Sequence, residues 1–143
     1  MHSTKFGIVF IGLFSALAFS EPALAQKTTE AVLRVECRKT SDRGCTGRGD
    51  QVIAAPAGYY IVRDSISPGQ VLNTNNRGGY RPLCGPARMA GSVPFPVPGT
   101  DIIADLFTSA VASLHVESGS GGGDLNKVFF VNCRYTYQVR RLP

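Results

Sequence analysis

The stretch from Lys127 to Arg141 constrains the fold most. It runs fifteen residues without a turn former, and apolar and polar residues alternate through most of it. Phe129, Val131, Cys133, Tyr135, Tyr137 and Val139 share one face; Asn132, Arg134, Thr136, Gln138 and Arg140 share the other. Alternation with period two is the signature of a strand with one buried face. The segment is either one long bent strand or two strands meeting near Arg134. A second alternating stretch, Ala31 to Arg38, puts Leu33, Val35 and Cys37 on one face.

The chain begins with a different kind of segment. Lys5 precedes an apolar run from Phe6 to Phe19, Pro22 follows, and Ala23-Leu24-Ala25 offers small residues at the −3 and −1 positions before Gln26. Charged start, apolar middle and small-residue end form the pattern of a secretory signal peptide over residues 1–25. The run of fourteen residues is shorter than the ~20 needed to span a bilayer. The expectation is a mature domain over 26–143, secreted to the periplasm or cell exterior, with no stable membrane insertion after cleavage.

Cys37, Cys45, Cys84 and Cys133 all lie in this mature part. An even count in an exported chain reads as two disulfides. The gaps of 8, 39 and 49 residues contain no close ligand pair, so a structural zinc site is not expected. Strand parity turns Cys37 and Cys133 to core faces, which favours Cys37–Cys133 with Cys45–Cys84. A Cys37–Cys133 bridge would contribute up to ~4–5 kcal/mol in the chain-entropy model. The alternative is Cys37–Cys45 with Cys84–Cys133.

Between these anchors the pattern is less regular. Residues 39–50 read as a charged, Gly-containing loop, 51–55 as a short apolar segment, and 59–64 (YYIVRD) as β-rich. Gln70 to Asn73 suits another short strand. Residues 74–99 are rich in Asn, Gly, Pro and Arg, and read as one long irregular loop. Within it, Val93 to Pro98 alternates with proline and must be extended. Residues 101–114 fit one helical face, but Val111, His115 and Val116 favour a strand over about 107–117. Gly119 to Asp124 reads as a flexible hairpin loop. About six to eight short strands separated by turns predict a mostly β, antiparallel sandwich-like single domain.

The chemistry-bearing residues are few. His115 is the only mature histidine, and no paired acid is evident beside it. There is no G-x-S-x-G elbow, so no catalytic residue is assigned. The glycines at 119–123 fit neither a dinucleotide loop nor a calcium repeat. No cofactor or metal is expected. Arg48-Gly49-Asp50 is the integrin-ligand tripeptide, placed in a stretch read as loop.

The cation usage is more informative. The mature chain has 11 Arg and 3 Lys against nine acids. Guanidinium groups pair bidentately with carboxylate, sulfate and phosphate. Arg43 and Arg48 flank Cys45, and Arg81 and Arg88 flank Cys84; Arg77 and Tyr80 are close in sequence. If those cysteines pair, a basic surface results, suited to an anionic polysaccharide, a lipid headgroup or an acidic protein. Nucleic acid is not expected, since no aromatic-basic stacking motif is present. The leading expectation is therefore a non-enzymatic binding or structural module. The alternatives are a small secreted hydrolase using His115 and a secreted enzyme inhibitor presenting a disulfide-held loop.

Overall fold

In the computed structural model, which describes residues 26–79 and 81–143, the C-terminal alternation forms one continuous strand. This strand, β7 (Val128–Arg141), buries every second side chain along nearly its whole length. The expected signal peptide over 1–25, and Tyr80, lie outside the described residues. β1 (Lys27–Arg38) runs antiparallel to β7 on one side, with Lys27 opposite Val139 and Arg38 opposite Val128. On its other side β7 pairs with β3 (Tyr59–Ile61) and β4 (Gln70–Thr74). The second sheet has the order β2-β6-β5, built from β2 (Thr46–Ala54), β6 (Ile103–Glu117) and β5 (Cys84–Pro96). All pairings are antiparallel, and the described residues contain no helix.

The two sheets close over one core. Phe129, Val131, Cys133, Tyr135, Tyr137 and Val139 of β7 meet Ile53 of β2 and Ala110, Ala112, Leu114 and Val116 of β6. The two tyrosines cross the core with their polar ends satisfied. Tyr135 donates its hydroxyl proton to the Gly85 carbonyl, and Tyr137 donates to the Ala54 carbonyl at 3.2 Å. Burial pushes both phenols above their ordinary range, because the phenolate would lose its hydration.

This architecture corrects several expectations, among them the loop over 39–50, whose second half opens β2 (Thr46–Ala54). The disulfides are Cys37–Cys45 and Cys84–Cys133, not Cys37–Cys133 with Cys45–Cys84. Both cysteines face the core, but register decides: Cys133 stands opposite Leu33, and Cys37 stands opposite Phe129. Four residues along a strand is about 13 Å, well beyond the ~4.4–6.8 Å between the Cα atoms of a bridged pair. Cys37–Cys45 instead clamps the turn from the first sheet into the second. Cys84–Cys133 ties the start of β5 to the middle of β7, across the sandwich.

The long irregular loop over 74–99 is also corrected, because half of it is β5. Its prolines are tolerated since β5 is the outer strand of its sheet. Pro94 and Pro96, two residues apart, omit amides on the same side, which on an edge strand is the solvent side. Register shifts between Cys84 and Ala87, and on both sides of Gly91, absorb the remaining irregularity. The helical alternative for 101–114 gives way to β6, which begins at Ile103 rather than near 107. Finally, Gly119 to Asp124 is not a hairpin turn. It carries the chain from β6 in one sheet to β7 in the other.

Candidate functional site

The outer face of the second sheet carries polar side chains that alternate with the core residues of β6. Ala112, Leu114 and Val116 point in; Ser113, His115 and Glu117 take the opposite face. Cross-strand pairing sets Arg48 of β2 beside His115, and Asp50 beside Ser113. On the other side the segment leading into β5 folds against β6, where the His115 amide donates to the Leu83 carbonyl at 3.0 Å. This brings Arg81, Pro82 and Pro86 over the face. The result is a groove of about 560 Å³ with Arg48 and Asp50 on one wall, Arg81 and Pro82 on the other, and Leu114 and His115 between them. Gly85 is needed here. A Cβ at this position would run into the Ser113 carbonyl, while the Gly85 carbonyl is held from beneath by Tyr135.

His115 is not alone. Its Nε2 lies 2.6 Å from Oε1 of Glu117, with the two side chains 11% and 22% exposed. With an ionised carboxylate as acceptor, Nε2 carries the proton and Nδ1 is the nitrogen left for another partner. Glu117 is fixed in turn by the loop over 75–79. Its amide donates to Oδ1 of Asn76, its carbonyl accepts from the Arg77 amide at 3.1 Å, and its carboxylate packs where a Cβ on Gly79 would stand. The Ser113 hydroxyl is spent differently: it donates to Asp50. Among the described residues no hydroxyl hydrogen-bonds to His115, so the nucleophile–base contact of a hydrolytic triad is not formed. Nor do three His, Cys, Asp or Glu side chains gather as a metal site requires.

Two of the six residues expected at a basic surface line the groove. Arg48 and Arg81 face it, and neither makes an ion pair among the described residues. Arg88 reaches the groove edge through Asp50, at 3.6 Å. Arg77 is drawn away into an ion pair with Asp124 at 2.6 Å. Arg43 sits in the exposed turn before Cys45 and does not line the groove. Tyr80 lies outside the described residues. The arginines that do converge are brought together by flanking β6, not by a Cys45–Cys84 bridge. Arg48-Gly49-Asp50 belongs to β2 rather than to a loop, and its aspartate is held by Ser113 and Arg88.

Glu117 is the functional neighbour that sequence reading missed. The signal was available: Ser113, His115 and Glu117 are spaced by two, so a strand assignment through Glu117 puts all three on one face. Asp50, Pro82 and Pro86 offered no comparable signal, because only the β2–β6–β5 pairing brings them to His115. No family model, curated protein or solved structure matches this chain.

Proposed function

We propose that this protein is an exported, non-enzymatic binding module whose groove holds an anionic polysaccharide between Arg48 and Arg81. One observation carries the reading. Two guanidinium groups without carboxylate partners among the described residues flank a groove whose lining includes Pro82 and Pro86. Unpaired guanidiniums suit the carboxylate or sulfate groups of acidic sugars. The apolar surface between them suits the faces of sugar rings. Two disulfides are compatible with an oxidising compartment, and the expected signal peptide supports export.

The test is binding of the oxidised domain to acidic and neutral glycans at two salt concentrations. The reading expects salt-sensitive binding to acidic members alone, lost in Arg48→Ala and Arg81→Ala. Absence of binding at either salt refutes it, and binding to an acidic protein or an anionic lipid instead replaces the ligand class. A second reading, a small hydrolase, is favoured by the His115–Glu117 contact, which resembles a base and its orienting acid. Assay of the oxidised domain on hydrolysable ester and glycoside substrates separates the two: turnover that is lost in His115→Gln supports the hydrolase, and glycan binding without turnover supports the module.

A further inference from the structure

The glycines at 119–123 find their place around a buried lysine. Lys39 follows β1 and is only 3% exposed. Its Nζ donates to the Gly123 carbonyl at 2.7 Å, which leaves two of its three N–H donors for other partners. Among the described residues no carboxylate lies within ion-pair distance of it. Burying an ammonium without a counter-charge is expensive. The fold nevertheless pins it there: the Lys39 amide donates to the Lys127 carbonyl at 3.0 Å, and its carbonyl accepts from the Asn126 amide at 2.6 Å.

Lys39 lines a hollow of about 160 Å³ together with Arg77, Ser120, Gly123, Asp124 and Phe129. The acid present is already engaged, because Asp124 contacts Arg77 at 2.6 Å and Lys127 at 4.0 Å. Two cations therefore share that carboxylate already, and Lys39, on the same hollow, is not paired with it. Gly119, Ser120 and Gly123 complete its lining, while the Gly121 amide is used in a hydrogen bond to the Asp42 carbonyl at 2.7 Å. The volume corresponds to ~5 waters at ~30 Å³ each, which is the scale of one tetrahedral oxyanion with part of its hydration. The same arrangement disfavours a metal cation, since the Gly123 carbonyl already accepts from an ammonium.

We propose that this hollow binds a single phosphate or sulfate group, with Lys39 and Arg77 as its charged donors. The site is separate from the groove, which neither residue lines. An oxyanion there supplies the counter-charge that no described residue does. It also joins the β1–β2 turn to the β6–β7 crossover through one ligand.

The experiment is calorimetric titration of the oxidised protein with inorganic phosphate, against chloride at matched ionic strength. The expected result is one phosphate per chain. Lys39→Met should weaken it at least ~10-fold, in keeping with loss of a charged hydrogen bond. Arg77→Gln should weaken it several-fold, and Arg81→Ala should leave it unchanged. Arg77 is 60% exposed, so its variant reports on the site even if Lys39→Met fails to fold. No binding beyond the chloride control overturns the proposal. So does phosphate binding that survives Arg77→Gln but is lost in Arg81→Ala, which would place the anion in the groove. Vesicles containing phosphatidic acid identify the source. Co-sedimentation that Arg77→Gln weakens supports a lipid phosphomonoester, whereas free phosphate binding without co-sedimentation supports a soluble oxyanion at the same site.

Discussion

Removing the two disulfides separately should produce unequal losses. Cys84 and Cys133 are 49 residues apart in sequence, and Cys37 and Cys45 are 8 apart. In the chain-entropy model these closures restrain the unfolded chain by about 4 and about 2.5 kcal/mol respectively. Native packing widens the gap. Cys133 is fully buried in the core, whereas Cys37 and Cys45 are only partly buried against it, so truncation at 133 also leaves a small cavity. The paired change Cys84→Ala with Cys133→Ala should therefore cost about 4–5 kcal/mol, and Cys37→Ala with Cys45→Ala about 2–3. Urea unfolding followed by tyrosine fluorescence measures both. With a slope of about 1.5 kcal/mol/M, the midpoints should fall by about 3 M and about 1.7 M. Equal losses, or a larger loss for the short closure, would refute the assignment of the inter-sheet bridge as the dominant staple.

The buried phenols set an alkaline limit. Both folded-state values are raised, so the stability they confer is complete below about pH 10 and falls as pH rises beyond it, by up to ~1.4 kcal/mol per unit for each tyrosine. Tyr137→Phe should flatten the decline of urea midpoint between pH 9.5 and 11; an unchanged slope contradicts the assignment. Gly47→Ala should destabilise by about 1–3 kcal/mol, because its Cβ would stand 2.6 Å from the Glu36 carbonyl oxygen and 2.8 Å from Val116 Cγ1. Gly122→Ala, with nothing within 4 Å, should leave the thermal midpoint nearly unchanged and serves as its control. Replacing Pro94 and Pro96 by valine should restore amide donors to the β5 edge and increase association, seen as light scattering at high protein concentration.

The elements legible in sequence were those whose pattern is imposed by burial on one face. β1 and β7 alternate because each lies in the same sheet with one side on the core. β4 was found from its short β-rich run between turns. β5 was obscured because an edge strand can carry Pro, Gly and Arg without losing its inner ladder, so its composition looks like loop. β2 is longer than its apolar segment for a similar reason: Gly47 sits where the two sheets approach closely, and together with Gly49 it erases the apolar half of the alternation. Disulfide partners depend on register, a property of two strands at once. At the groove, Arg48 and Arg81 were legible as unbalanced charge. The Arg77–Asp124 pair was not, because its members are 47 residues apart and meet only through the crossover.

The position of β7 in the order of the chain has a temporal consequence. It is the strand to which β1, β3 and β4 all bond, and it is the last of the seven strands among the described residues. Until it is present, the first sheet has no centre, Cys84 has no partner, and the inner side chains of β6 have nothing to close against. A nascent chain therefore cannot complete the first sheet or close the core until β7 has emerged. The last strand acts as the keystone of an arch whose other stones cannot stand before it is set.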